Sequence, residues 1–274
     1  MNKLSLSIFI LFTSFHAAAQ DTILKQNVPF VLGKIDQIHS NILSENRVLN
    51  IYLPEGYDKD STISYPVIYL LDGSADEDFI HIAGLVQFLN FPWVKVLPKS
   101  ILVGIANVDR RRDFTFSTAV AEDKKESPTS GGSAKFIAFI GEELQPFIEK
   151  KFRTNSSKTL IGQSLGGLLA TEILFKKPAL FSKYIIVSPS LWWNNESLLE
   201  TKPMAKKDSA EVYIAVGNEE KVMQDDARKL VSILKNNDKK MIVHFQYFPH
   251  KDHGTILHRA VYDAFETFAK RKVE

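Results

Sequence analysis

The sequence predicts an α/β fold, a mostly parallel sheet with helices covering both faces. Three observations lead there. Short apolar, β-branched runs alternate with longer amphipathic ones along the chain. Several short runs are continuously apolar, VIYLL at 67–71 and YIIV at 184–187 among them, as strands buried on both faces require. No repeat at solenoid spacing and no Pro/Gly/Ser-rich linker interrupts the alternation, so 21–274 reads as one domain.

The expected strands are 48–53, 66–71, 100–106, 159–162, 184–188, 211–216 and 242–248, each a short run bounded by polar or turn residues. The expected helices are 79–88, 134–151, 165–175, 225–236 and 256–271. In the second of these, Phe136, Ile137, Phe139, Ile140, Leu144, Phe147 and Ile148 form a wide apolar face at helical spacing. Pro146 lies inside it, so a kink or local break is expected there. Between strand and helix, 109–132 begins charged and ends in small residues, which reads as a long loop beside the sheet.

Residues 1–20 have a different logic. Lys3 begins a positive n-region, 4–15 is apolar, and Ala17-Ala18-Ala19 supplies the small residues a signal peptidase needs. The apolar run is short for a permanent membrane helix, and no later stretch is long enough either. The expectation is a signal peptide over 1–20 and an exported protein, periplasmic or extracellular, with no stable membrane insertion.

Composition narrows the chemistry. With no cysteine, disulfides, thiolate nucleophiles and Cys-ligated metals are excluded. With 34 Lys+Arg against 32 Asp+Glu, the net charge of +2 carries no mark of a nucleic-acid binder. Covalent catalysis would need a nucleophile other than cysteine.

One motif supplies it. Gly162-Gln163-Ser164-Leu165-Gly166 matches G-x-S-x-G, with a β-type run before it and a helical pattern after it. Such a serine sits on a sharp strand-to-helix turn, where side chains two positions away would collide. The turn aims the Leu165 backbone N–H at a developing oxyanion. A serine hydroxyl also needs a base. His244 falls in an expected strand and His258 in the last helix, leaving His250 and His253 in the loop 249–255. His253, followed by Gly254, is preferred as the base. The acid is sought after strand 211–216, where Glu219 and Glu220 are adjacent and at most one can orient the imidazole. Glu220 is the choice, with Glu219, Asp225 and Asp226 in reserve; an acidic first helical turn would account for the same residues. A second oxyanion donor is sought at Gly73 or Ser74, after strand 66–71, where a plain tight turn is the competing explanation.

YPVIYLLDG, VGIANVDRRRDFT, LIGQSLGG, VSPSLWW and the late DHG together resemble the putative-esterase branch of the α/β-hydrolase superfamily. That branch includes esterase D-like enzymes, feruloyl and acetyl xylan esterases and the enterochelin esterases. The exported siderophore-esterase-like members are the nearest in pattern, over most of the chain from about residue 51. The resemblance implies Ser164 as nucleophile, His253 as base, an acid near Glu220, and an oxyanion hole lined by the Asp72-Gly73 loop and Leu165. Some siderophore esterases of the branch are thought to work with a Ser–His pair alone. Arg110, Arg111 and Arg112 follow a strand end and would suit an anionic substrate such as a ferric catecholate, or form a solvated charge run. Trp192 and Trp193 could wall a pocket for aromatic acyl groups, or anchor a helix start behind Ser190.

The resulting expectation is a serine ester hydrolase needing no metal or organic cofactor, acting on a small-molecule or glycan-linked ester. A siderophore-type trilactone is the leading substrate. A polysaccharide-linked feruloyl or acetyl group, acyl transfer, and a non-catalytic binding role on the same fold are the alternatives.

Overall fold

The computed structural model describes residues 29–59, 61–204, 209–237 and 240–270. The chain separates into Met1–Val31 and Leu32–Glu274, and the architecture below is that of the second unit. The expected signal segment 1–20 lies outside the described residues.

Eight strands form one sheet: β1 (Lys34–Ser40), β2 (Glu45–Tyr52), β3 (Tyr65–Leu70), β4 (Ile101–Ile105), β5 (Thr154–Gln163), β6 (Lys183–Val187), β7 (Glu211–Gly217) and β8 (Ile242–Phe248). Their spatial order is β1-β2-β4-β3-β5-β6-β7-β8. The β1–β2 and β2–β4 pairs are antiparallel, and every pair from β4 to β8 is parallel. The α/β expectation therefore holds, with an antiparallel edge added. Strand β1 was not anticipated. Its sequence, KIDQIHS, is mostly exposed at the sheet edge, so burial left no hydrophobic signature in it.

The helices are α1 (Phe79–Leu89), α2 (Arg110–Phe114), α3 (Ala121–Glu126), α4 (Ser133–Ala138), α5 (Gln145–Lys151), α6 (Leu165–Lys176), α7 (Trp193–Glu196), α8 (Lys221–Asn237) and α9 (Leu257–Lys270). Alternate residues of the central strands face two separate cores. Ile68, Leu70, Ile161, Ile185, Val187 and Tyr213 pack under α1 and α9. Val67, Tyr69, Leu160, Tyr184, Ile186 and Val212 pack under α4, α5, α6 and α8. The period-2 pleat thus divides one buried strand between two apolar layers.

Two local expectations need correction. Between α4 and α5 the backbone widens into a π-helical turn, Phe139–Leu144, instead of breaking at Pro146. Pro146 sits at the start of α5, and the wider turn relieves the clash of its ring with the preceding carbonyls. The segment 109–132 is also less irregular than a long loop, since α2 and α3 form within it. Asp109 caps α2, accepting the Arg112 N–H at 3.0 Å. Gly131 and Ser133 N–H groups both bond the Thr115 carbonyl, pinning the far end.

A buried charge cluster fixes α2 to the sheet. Arg47 of β2 is fully buried and pairs with Asp113 and, at 2.8 Å, with Glu45. Arg112 bonds the same two carboxylates, at 2.7 Å to Asp113 and 2.6 Å to Glu45. The Arg47 guanidinium also lies 5.0 Å from the Phe136 ring centroid. Asp113→Asn removes the central anion and should cost about 3–5 kcal/mol, because two guanidinium groups then share one carboxylate. An unchanged denaturant midpoint would contradict this role for the cluster.

Asp226, on α8, is a second buried carboxyl and lacks a partner on Oδ2 among the described residues. Burial, and then the Glu196 carboxylate, push its pKa up to about 6. A folded-state value above the unfolded one gives stability below the ordinary carboxylate range that is lost as pH rises through about 6. Asp226→Asn should therefore be more stable than wild type above that pH, by about 1–3 kcal/mol, with the gap closing toward about pH 4. Thermal melts across that range check it; a gap independent of pH would refute it.

Candidate active site

The parallel strands end along one edge of the sheet, and the loops after β3, β5, β6, β7 and β8 meet there. Ser164 lies between β5 and α6 with φ 58° and ψ −121°, a conformation outside the regions open to most L-residues. Three backbone bonds hold it. Its N–H donates to the Val187 carbonyl at 3.1 Å, and its carbonyl accepts from Leu168 at 2.9 Å and Ser190 at 3.0 Å. A Cβ at position 162 would lie 2.3 Å from the Gly166 carbonyl oxygen, so the turn closes only over glycine there. The Leu165 N–H, at the first position of α6, has no intrahelical partner.

His253 lines the same cavity as Ser164, a space of about 400 Å³ that Ser190, Trp192, Asn218, Glu219, Glu220, Met223 and Asp252 complete. Its Nδ1 lies 2.7 Å from Glu219 Oε2. The carboxylate on the imidazole is thus that of Glu219, not the expected Glu220. The reason is local: Glu219 turns back under the end of β7, where its Oε1 accepts from the Gly217 N–H at 3.1 Å and from the Ser188 hydroxyl. Glu220 lines the cavity without reaching the ring. Burial pushes the Glu219 carboxyl up, but the bonds from His253, Ser188 and Gly217 outweigh it and hold the pKa below the ordinary value. The Glu219 side chain is 5% exposed and that of His253 is 47% exposed, a buried anion beneath a reachable imidazole. Asp225 pairs with Lys221 on the outer face of α8, and Asp226 is in the core. His250 is exposed and absent from both depressions that flank Ser164.

The Ser164 hydroxyl is turned toward Ser190 Oγ, 3.3 Å away. Two further contacts position the base loop. The Gln163 side chain donates to the His253 backbone carbonyl, and Gln163's own carbonyl accepts from Arg110 Nη2 at 3.4 Å.

The other candidates separate by contact. Gly73 cannot supply an oxyanion donor, because its N–H is spent on the Ile105 carbonyl at 3.0 Å. Its glycine identity has a packing cause: a Cβ there would meet Gly104 Cα at 2.4 Å. The N–H groups of Asp72 and Ser74 remain in that turn, and Asp72, at φ 54°, lines a second depression with Ser164, Arg110, Gln163 and His253.

Of the three arginines, Arg110 alone borders the nucleophile, and it is already paired through two bonds to Asp72, at 2.6 and 2.9 Å. Burial opposes its charge, but the Asp72 carboxylate outweighs that and holds the guanidinium above its ordinary pKa. Glu77 and Asp78 line the same depression. An anion-receiving triplet of arginines is therefore not what the fold builds: Arg111 is exposed and Arg112 belongs to the buried cluster around Asp113. The tryptophans divide likewise. Trp192 is part-exposed and lines the cavity, whereas Trp193 is buried and donates to the Phe116 carbonyl at 2.9 Å.

Sequence reasoning passed over Ser188, Ser190, the Gln163 side chain and the Asp72–Asn107 contact at 2.7 Å. The Ser188-Pro189-Ser190 run at the end of a central strand was the available signal for two of these. Among the described residues, no group of three or more His, Asp or Glu side chains is arranged to hold a metal ion. None of the described helices is long and apolar enough to cross a membrane.

Residues 40–262 match the family model described as "Putative esterase". The ferri-bacillibactin esterase BesA of Bacillus subtilis is 33% identical over 210 residues, covering 68% of this chain and 72% of BesA. Among solved structures, the BES protein of Bacillus cereus superposes with a TM-score of 0.78 at 30% identity, covering 89% of this chain and 98% of that one. An IroE-like serine hydrolase from Shewanella oneidensis gives 0.77 at 30% identity, over 87% and 80% of the two chains. The chain belongs to the putative-esterase family of α/β-hydrolases and is a carboxylic-ester hydrolase.

Proposed function

We propose that the protein hydrolyses a siderophore-type ester, a trilactone or a similar small molecule, through an acyl-enzyme on Ser164. The observation that carries this is the alignment of the Glu219 carboxylate with His253 Nδ1 beside a serine held at a strained turn. In this reading Ser164 Oγ gives up its proton to His253 Nε2 as it attacks the ester carbonyl. Bonds to catalytic groups are commonly long in the free enzyme and tighten with substrate. Glu219 keeps the Nδ1 proton in place and stabilises the imidazolium, remaining ionised throughout because its pKa is held low. The Leu165 N–H, with an N–H of the Asp72–Ser74 turn, receives the tetrahedral oxyanion. His253 then protonates the leaving alcohol and activates the water that releases the acid.

The substrate class is supported by the kinship with BesA, and the part-exposed Trp192 with the buried Met223 gives the cavity an apolar wall for an acyl group. Export is part of the same proposal and is supported by the pattern of residues 1–20.

Ser164→Ala and His253→Ala should each lower kcat for p-nitrophenyl esters by about 10⁴-fold or more. Glu219→Gln should lower it by roughly 10³–10⁴-fold, the cost of the wrong tautomer, while Glu220→Gln stays near wild type. Equal losses at 219 and 220, or near-normal turnover in Ser164→Ala, would reject the assignment. For the substrate, purified enzyme incubated with a catecholate trilactone should release its linear ester. An intact trilactone beside normal p-nitrophenyl turnover would remove the siderophore reading and leave the esterase.

A further inference from the structure

Ser190 follows β6 by three residues, and the chemistry above gives it no part. It is 3% exposed, yet it lines the cavity that holds Ser164 and His253. A buried hydroxyl must find a hydrogen-bond partner. Among the described residues its Oγ has one, the hydroxyl of Ser164. Its backbone is tied to the same residue, since the Ser190 N–H donates to the Ser164 carbonyl at 3.0 Å. The next turn is anchored by the buried Trp193, whose own N–H reaches the Ser190 carbonyl at 3.3 Å. The backbone therefore sets the distance between the two hydroxyls.

We propose that Ser190 is a positioning residue for the nucleophile, an inference that rests on Ser164 forming the acyl-enzyme. Ser190 O–H donates to Ser164 Oγ and retains its proton throughout. As Oγ attacks, its own proton passes to His253, an Oγ–C bond forms, and the carbonyl π pair moves onto the oxygen that becomes the oxyanion. Oγ carries developing charge in that step and again when the acyl bond breaks, and a donor strengthens with the charge on its acceptor. The Ser190 bond therefore stabilises both transition states more than it stabilises bound substrate.

The test uses the full-length protein, p-nitrophenyl acetate and a fluorophosphonate. Ser190→Ala should lower kcat and the labelling rate constant about tenfold, the worth of one hydrogen bond to a charged oxygen, with KM and the thermal midpoint unchanged. Ser190→Thr and Ser190→Val have one shape and differ in the hydroxyl. Threonine should outpace valine by the same factor, and this pair decides the matter if the alanine variant is unstable. Wild-type kcat in Ser190→Ala, or equal rates for the threonine and valine variants, would overturn the proposal. A Ser164→Ala enzyme that still hydrolyses the ester would instead overturn the acyl-enzyme reading.

Discussion

The backbone of Ser164 is the constraint on which the site depends. A non-glycine residue at φ 58° and ψ −121° costs of order 1–3 kcal/mol and persists only where its surroundings enforce it. Here β6 takes its N–H, α6 and the Ser190 loop take its carbonyl, and glycine at 162 lets the chain close over itself. Every other part of the site is placed relative to that turn. Gln163 secures the His253 loop from the adjoining position, and Ser190 meets the hydroxyl from β6. The strain is local, and the five parallel pairs of the sheet are what hold it.

Charge is used in two distinct ways around this frame. Arg47, Arg112, Asp113 and Glu45 form a buried lattice that fastens α2 to β2, away from the nucleophile. Arg110, one turn earlier, is matched by Asp72 and leans on the elbow's backbone. Neighbouring arginines in the sequence thus serve a packed core and a catalytic loop, and none stands unpaired in the cleft as a receptor for a polyanion. Glu219 shows the same economy: a carboxylate that is nearly buried stays ionised because three donors converge on it.

The parallel strands and the serine were legible because burial on both faces leaves continuous apolar runs and because the elbow demands glycine at a set spacing. His253 was legible from the order of chain segments and its loop. Edge strand β1 was not, since Lys34, Ile35, Gln37 and His39 are exposed and leave no periodic apolar signal. The choice between Glu219 and Glu220 was beyond the sequence for a geometric reason. Adjacent side chains diverge after a strand, and which one turns inward is set by Gly217 and Ser188, residues that meet only in three dimensions. Gly73 misled in a similar way: a Cβ there is excluded by Gly104 on a neighbouring strand, not by a substrate. The arginine run and the Trp192-Trp193 pair each held one residue beside the site, with Arg111 exposed, Arg112 on the buried Asp113 and Trp193 in the core, a division set by tertiary contacts.

The central claim is that Ser164 is an activated nucleophile. The most direct measurement is the intact mass of the protein after treatment with a fluorophosphonate, beside Ser164→Ala treated alike. The account predicts one adduct on the wild type, located on the peptide containing Ser164, and none on the variant. A folded wild type that takes up no adduct, or a variant labelled as readily as the parent, would contradict it.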